Sequence, residues 1–279
     1  MHTNNKTSIK IIYTTGITLI VVFIFFLIYP LSAHANGPMP NEIAEDMISI
    51  GAFTAPLTVP SSDTDSDIIA TALNQRPSIV QVQVGKEYGS GNILSINKDQ
   101  ILIITAGHVV KNWDSTDNHF VIFYNGKIAD ATLITSDETY DAAILSVNTS
   151  SIDPYNLINL RAVNINPDVM PSFDKIKGET IIALDSDHQV NAKEKQHYDY
   201  YGSNTGIGIK YVYGPVINPN IMVSDYGYKM IYVRCDAHHG MSGGGVFDLS
   251  GNYLGILVGG TNKGETVAVR LSDIEALIQ

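Results

Sequence analysis

The sequence predicts an all-β fold, a barrel or a sandwich, over most of its length. Two observations carry this. From Ser78 onward, short apolar runs recur, and the first of them alternates apolar and polar residues with period two. Turn residues separate these runs at short intervals, in a texture that does not match βαβ units. With 279 residues, the chain can form one large all-β domain or two small ones. Apolar residues make up 44% and charged residues 16%, which predicts a globular body.

The elements follow in order. Residues 1–10 carry Lys6 and Lys10 and no acid, and residues 11–31 are almost entirely apolar. Ala33-His34-Ala35 then supplies small residues at a cleavage spacing, so residues 1–35 read as an export signal. The apolar run is also long enough to span a bilayer as a helix, so a retained membrane anchor through 11–31 stays open. Either reading places the remaining chain outside the cytoplasm. Residues 36–77, with Pro38, Pro40, Pro56 and Pro60, read as a linker or pro-segment, with a short helix at 68–75.

Strands are expected at Ser78–Val84, Gly91–Ile96, Ile101–Thr105, His119–Tyr124, Lys127–Thr135 and Ala142–Val147. A proline-containing connector covers 148–177. Strands resume at Gly178–Leu184, Gly206–Val212, Lys229–Arg234, Gly244–Asp248, Tyr253–Gly259 and Glu265–Arg270. The polar, aromatic stretch 185–205 reads as a long surface loop. Ser272–Ile278 is expected to form a helix, with Ser272 and Glu275 as a capping box.

Three strings carry chemistry. Gly240-Met241-Ser242-Gly243-Gly244 is a glycine-rich turn that exposes a hydroxyl and leaves backbone N–H groups uncovered. Thr105-Ala106-Gly107-His108-Val109-Val110 places a histidine, the natural base near neutrality, just past a strand end. Asp141-Ala142-Ala143-Ile144-Leu145 places a carboxylate just before an apolar strand. Taken singly, each also fits a plain structural role: a surface turn, a packed histidine, a turn aspartate. Their order, His108, Asp141, Ser242, is one of three known arrangements of a Ser-His-Asp triad.

With these strings, residues 78–270 resemble the trypsin-like (chymotrypsin-fold) serine peptidases, and Gly255-Ile256-Leu257-Val258-Gly259-Gly260 adds to the likeness. The resemblance implies two perpendicular six-stranded antiparallel β-barrels, the first over 78–150 and the second over 178–270 of a domain at 78–279. It implies a serine endopeptidase acting on a protein or peptide substrate. Ser242 is the nucleophile, His108 the base, Asp141 its orienting acid, and the N–H groups of Gly240 and Ser242 form the oxyanion hole. Gly89-Ser90-Gly91 matches a structural hairpin of the family. Val258, Gly259 and Gly260 form the edge that pairs with the substrate backbone.

Departures from the family pattern also matter. Met241 stands where digestive members carry an aspartate that pairs with a newly cut N-terminus, so that activation switch is not expected here. Gly245 replaces a frequent proline. Asp236, six residues before Ser242, matches the acid that selects Arg or Lys in trypsin. Glutamyl endopeptidases are the competing subfamily, but Leu257 stands where they carry a histidine. Cleavage after a basic residue and cleavage after Glu both stay open.

The remaining candidates read as structural. Cys235 lies outside the glycine turn and is expected as a buried thiol, and one cysteine excludes an internal disulfide. His238 and His239 lack further ligands at metal-site spacing, so no metal is expected. No cofactor is implied. The net charge of −11 argues against a nucleic-acid partner. Trp113 is expected to pack near the His108 segment. A catalytically silent, peptidase-fold binding protein at the cell surface is the alternative function.

Overall fold

The computed structural model describes residues 38–61, 64–117, 119–166, 170–184, 186, 211–261 and 263–278. The expected export segment 1–35 and most of the 185–205 loop lie outside these residues. The chain divides into two compact units, Met1–Ile43 and Ala44–Gln279. The described part of the first holds the start of helix α1 (Pro40–Ser49), where the Met39 N–H donates to the Glu42 carboxylate at 2.8 Å. No helix among the described residues is long and apolar enough to cross a membrane.

The second unit is built on two antiparallel sheets. Strands β1 (Ile79–Val84), β2 (Glu87–Ile96), β3 (Gln100–Ala106), β4 (His119–Phe123), β5 (Ile128–Asp130), β6 (Thr132–Asp137) and β7 (Ala142–Asn148) form the first. Strands β8 (Thr180–Leu184), β9 (Tyr211–Val223), β10 (Tyr228–Val233), β11 (Gly245–Asp248), β12 (Tyr253–Thr261) and β13 (Glu265–Arg270) form the second.

The expected pair of six-stranded barrels is overturned by the first sheet. It has seven strands in the order β5-β4-β1-β2-β3-β7-β6. The segment expected as one strand, Lys127–Thr135, breaks at Ala131, where the Ala131 N–H donates to the His119 carbonyl at 3.0 Å. The part before the break pairs with β4 and the part after it with β7, so consecutive strands terminate opposite ends of the strand order. A one-residue connection between the two ends requires the sheet to curl. In the second sheet, β10-β13-β12-β11-β8-β9 returns to its start through the pairing of β9 with β10.

Period-two side-chain direction sorts the second sheet between two cores. Ile181 and Ala183 of β8 join a core with Val216, Ile231, Val233, Cys235, Met241 and Leu254. Ile182 and Leu184 of the same strand join the larger core, which holds most apolar side chains of the first sheet, while Phe120, Ile122 and Ile128 form a small cluster of their own. That larger core also takes Ala44, Phe53, Ile68 and Ala72 from before residue 78. Helix α2 (Thr64–Gln75) supplies the last two. Backbone bonds fix this segment: Ala162 N–H to the Phe53 carbonyl at 2.7 Å, Ala55 N–H to Ala162 at 2.8 Å, and Thr58 N–H to Ser250 at 2.7 Å. Among the described residues the unit also carries the α-helices α3 (Pro154–Leu157) and α4 (Leu271–Ile278).

Candidate active site

The pairing of β3 with β7 sets the first half of the site. Ala106 lies opposite Ala142. His108 follows Ala106 by two residues in a short 3₁₀ turn, Gly107–Val110, and Asp141 precedes Ala142 by one. The register therefore brings the imidazole to the carboxylate. Asp141 Oδ1 accepts the main-chain N–H of His108 at 2.7 Å, and Oδ2 lies 2.8 Å from His108 Nδ1. The Gly107 N–H donates to the Asp141 carbonyl at 2.8 Å. A carboxylate can only accept from the ring, so Nδ1 is the donor in this contact, and in the neutral imidazole Nε2 then presents the lone pair.

Asp141 is held at φ +50°, in the left-handed region. That conformation costs a residue with a side chain about 1–2 kcal/mol, and Asp is among the few that visit it. Its side chain is 14% exposed against 43% for His108, so the acid is shielded and the imidazole is open to the cleft.

The second half is the turn around Ser242. Met241 N–H donates to His238 O at 3.2 Å, and Gly244 N–H to Met241 O at 2.7 Å. Met241 is fully buried in the second core and anchors the turn there. Gly243 has φ +83°, and a Cβ on it would lie 2.2 Å from the Ser90 carbonyl oxygen and 2.4 Å from Thr105 Oγ1. Only glycine fits that approach. Gly240 has φ +95°. Among the described residues, the N–H groups of Gly240 and Ser242 have no acceptor.

The hairpin strand β2 holds this turn against the first sheet. Ser90 N–H donates to Ser242 O at 2.8 Å, and Ser90 Oγ to Gly240 O at 2.7 Å. Asn92 Nδ2 donates to Gly243 O at 2.8 Å, and Thr105 Oγ1 to Ser90 O at 2.7 Å. Ser186 N–H reaches Ser90 Oγ at 2.9 Å. Sequence reasoning gave Gly89-Ser90-Gly91 a structural role but missed Asn92, Thr105 and Ser186. Thr105 heads the histidine string, but nothing in it announces the bond to Ser90, and no local string marks Asn92 or Ser186, whose bonds span distant parts of the chain.

His108 and Ser242 line two cavities together, of about 420 and about 600 Å³, without a hydrogen bond between their side chains. Such contacts are often long in unliganded sites and tighten with substrate. The larger cavity is also lined by Asp236, Val258, Gly259 and Gly260, so all four pocket candidates share it with Ser242. Asp236 is exposed there rather than deeply placed. Leu257 also borders this cavity, with its side chain packed in the second core.

Cys235 is buried, and its carbonyl accepts from Thr266 Oγ1 at 2.9 Å. Burial pushes its thiol pKa up, which opposes thiolate formation. His238 and His239 line the pocket mouth, and no group of three or more metal-ligating side chains occurs among the described residues. Trp113 stacks on His119 at 4.0 Å and lines a cavity with His108 and Asp141. Two tyrosines absent from the sequence expectations also reach the site. Tyr228 Oη donates to Tyr140 O at 3.1 Å, and Tyr226 Oη to Val258 O at 3.2 Å. Burial, and secondarily the Asp141 charge, pushes both hydroxyls to higher pKa.

Comparison with known proteins gives a consistent picture. The sequence profile of the trypsin-like peptidase domain matches residues 89–256. No curated protein sequence matches the chain. One similar solved structure is Rv3671c from M. tuberculosis H37Rv, a serine-to-alanine mutant in its inactive form. It aligns with a TM-score of 0.54 and 18% identity, over 80% of this chain and 95% of that one. Another is the serine endoprotease from Yersinia pestis, with a TM-score of 0.55 and 20% identity, over 79% of this chain and 66% of that one. At these identities the likeness is one of fold.

Proposed function

We propose that this chain, which belongs to the trypsin-like peptidase family, is a serine endopeptidase working through Ser242, His108 and Asp141. The observation that carries the reading is the double acceptance by Asp141 of the His108 main-chain N–H and ring Nδ1, at 2.7 and 2.8 Å. That arrangement fixes the tautomer and turns the basic Nε2 toward the cleft that Ser242 lines. Ser242 Oγ attacks the scissile carbonyl while His108 Nε2 takes its proton. His108 then gives that proton to the leaving amine, and water repeats the sequence on the acyl-enzyme. The carboxylate stabilises the imidazolium in both steps. The acceptor-free N–H groups of Gly240 and Ser242 suit the oxyanion. The chemistry requires no cofactor.

Asp236, in the cavity shared with Ser242, favours Arg or Lys as the residue cleaved after. The positive flank, apolar run and small residues of 1–35 support export, with the domain working outside the cytoplasm. A fluorophosphonate probe tests the core of the reading. Labelling of wild type and none of Ser242→Ala is expected. An unlabelled wild type would show a silent binding protein instead, and equal labelling of the variant would remove Ser242 from the role.

A further inference from the structure

Val258 occupies an unusual place in β12. The register with β13 runs Leu257 opposite Ala268 and then Gly259 opposite Val267, so Val258 has no opposing residue. It is a bulge, a device that frees main-chain groups and recurs beside active sites. Val258 is nevertheless only 4% exposed, and a buried carbonyl needs a donor. Tyr226 supplies one. It lies in the turn between β9 and β10, closed by the Gly227 N–H to Val223 O bond at 2.8 Å. A Cβ on Gly259 would lie 3.0 Å from Tyr226 Oη, so the hydroxyl sits over the Val258–Gly259 edge. The same tyrosine lines a cavity of about 560 Å³ with His108, Asp141 and Val258.

We propose that Tyr226 is a displaceable stand-in for substrate, its hydroxyl holding the Val258 carbonyl that a peptide N–H takes on docking. This rests on the peptidase reading of the site. An extended peptide pairing with 258–260 offers main-chain N–H donors to this edge. Val258 shares two cavities with His108, and its carbonyl is already engaged. At 3.2 Å the tyrosine contact is longer than the usual range of about 2.5–3.0 Å for a hydroxyl donor, as suits a weak interaction that exchanges. Burial keeps the phenol protonated and therefore a donor through the physiological range. Tyr226 is held from one side by an edge-on contact with Tyr228 at 6.1 Å, and Tyr228 is itself tied to Tyr140. The ring itself is only partly buried, which leaves solvent on its open side for it to turn into while its support stays in place. Tyr226 acts through the edge and is a positioning residue; it touches no reacting atom.

Tyr226→Phe keeps the ring and removes the donor. The free enzyme is then left with an underpaired buried carbonyl that substrate alone satisfies. With the fluorogenic peptide that wild type cleaves best, KM is expected to fall by roughly two- to tenfold, the range of one exchanged hydrogen bond. The gain is expected in KM rather than kcat. The same peptide N-methylated at the cleaved residue lacks the donor and is expected to show no gain. Fluorophosphonate labelling of Ser242, which does not need the edge, reports whether the variant is folded. An unchanged or raised KM with labelling intact overturns the proposal, as does an equal gain on the N-methylated peptide. Wild type that fails to label overturns the peptidase reading and this proposal with it.

Discussion

Ser90 grips the Ser242 turn at two points: its N–H bonds the Ser242 carbonyl at 2.8 Å and its hydroxyl the Gly240 carbonyl at 2.7 Å. A residue of the first sheet thus fixes the peptide units that follow Gly240 and Ser242, each one Cα away from an N–H group of the proposed oxyanion hole. Ser90→Ala keeps the first bond and loses the second, together with the bond that Ser186 N–H makes to the hydroxyl. The Gly240 carbonyl is then unpaired in a tight turn, at a cost of about 1–3 kcal/mol. Fluorophosphonate labelling is expected to slow by roughly tenfold, the equivalent of about 1.4 kcal/mol. An unchanged rate would show that the glycine turn holds itself.

Asp141→Asn separates charge from shape. Asn also tolerates the left-handed φ of +50°, so the turn is expected to persist. The amide cannot stabilise an imidazolium and favours the wrong ring tautomer. A loss of about 10³–10⁴ in kcat is expected, with unfolding midpoints close to wild type. A loss below tenfold would place the base elsewhere.

Asp236→Ser tests the pocket. Profiling against a peptide library is expected to show cleavage after Arg or Lys for wild type and a loss of that preference for the variant. Because Asp236 is exposed, water screens its charge, and a drop of about tenfold is expected rather than the larger loss of a desolvated pair. Cleavage after Glu by wild type would refute the assignment.

Asp153 gives a stability signature with a defined sign. It caps α3 by accepting from Asn156 N–H at 3.1 Å and Nδ2 at 2.6 Å, and Lys127 Nζ lies 3.7 Å away. The Asn156 side-chain bond, then its backbone bond and Lys127, hold the carboxyl below its ordinary pKa, against a smaller opposing effect of burial. A depressed folded pKa stabilises above the ordinary carboxylate range, and that contribution disappears as pH falls through the folded value. Asp153→Ala is therefore expected to cost about 1 kcal/mol at neutral pH and less at a pH below the folded pKa. Urea titrations at the two pH values measure it.

The legible parts of this protein are the local ones. His108, Asp141 and Ser242 each lie within three residues of a strand end or a glycine turn, so short strings reveal them. The split at Ala131 leaves no such mark, because 127–135 reads as one strand and the curl of the whole sheet makes the break. Strand β9 runs from Tyr211 to Val223 although Pro215 and Pro219 read as breakers. Pro219 falls within the register shifts between β9 and β10, where no ladder bond is demanded of it. Tyr226 was illegible for a similar reason: its partner lies 32 residues along the chain, across a bulge.

Residues 44–75 make cutting the chain and removing a piece of it two different events. Ser61 is exposed and lies just before α2. A cut beside Ser61 leaves both flanks held, Phe53 and Ala55 by Ala162 on one side and Ile68 and Ala72 by the core on the other. A nicked protein would therefore migrate as two bands under denaturing conditions and still behave as one body in solution. Release of the piece ending near Pro60 would instead strip Phe53 from the core, a loss of about 3–5 kcal/mol for such a side chain. Tolerance of the nick together with intolerance of the excision would identify this stretch as a permanent structural part.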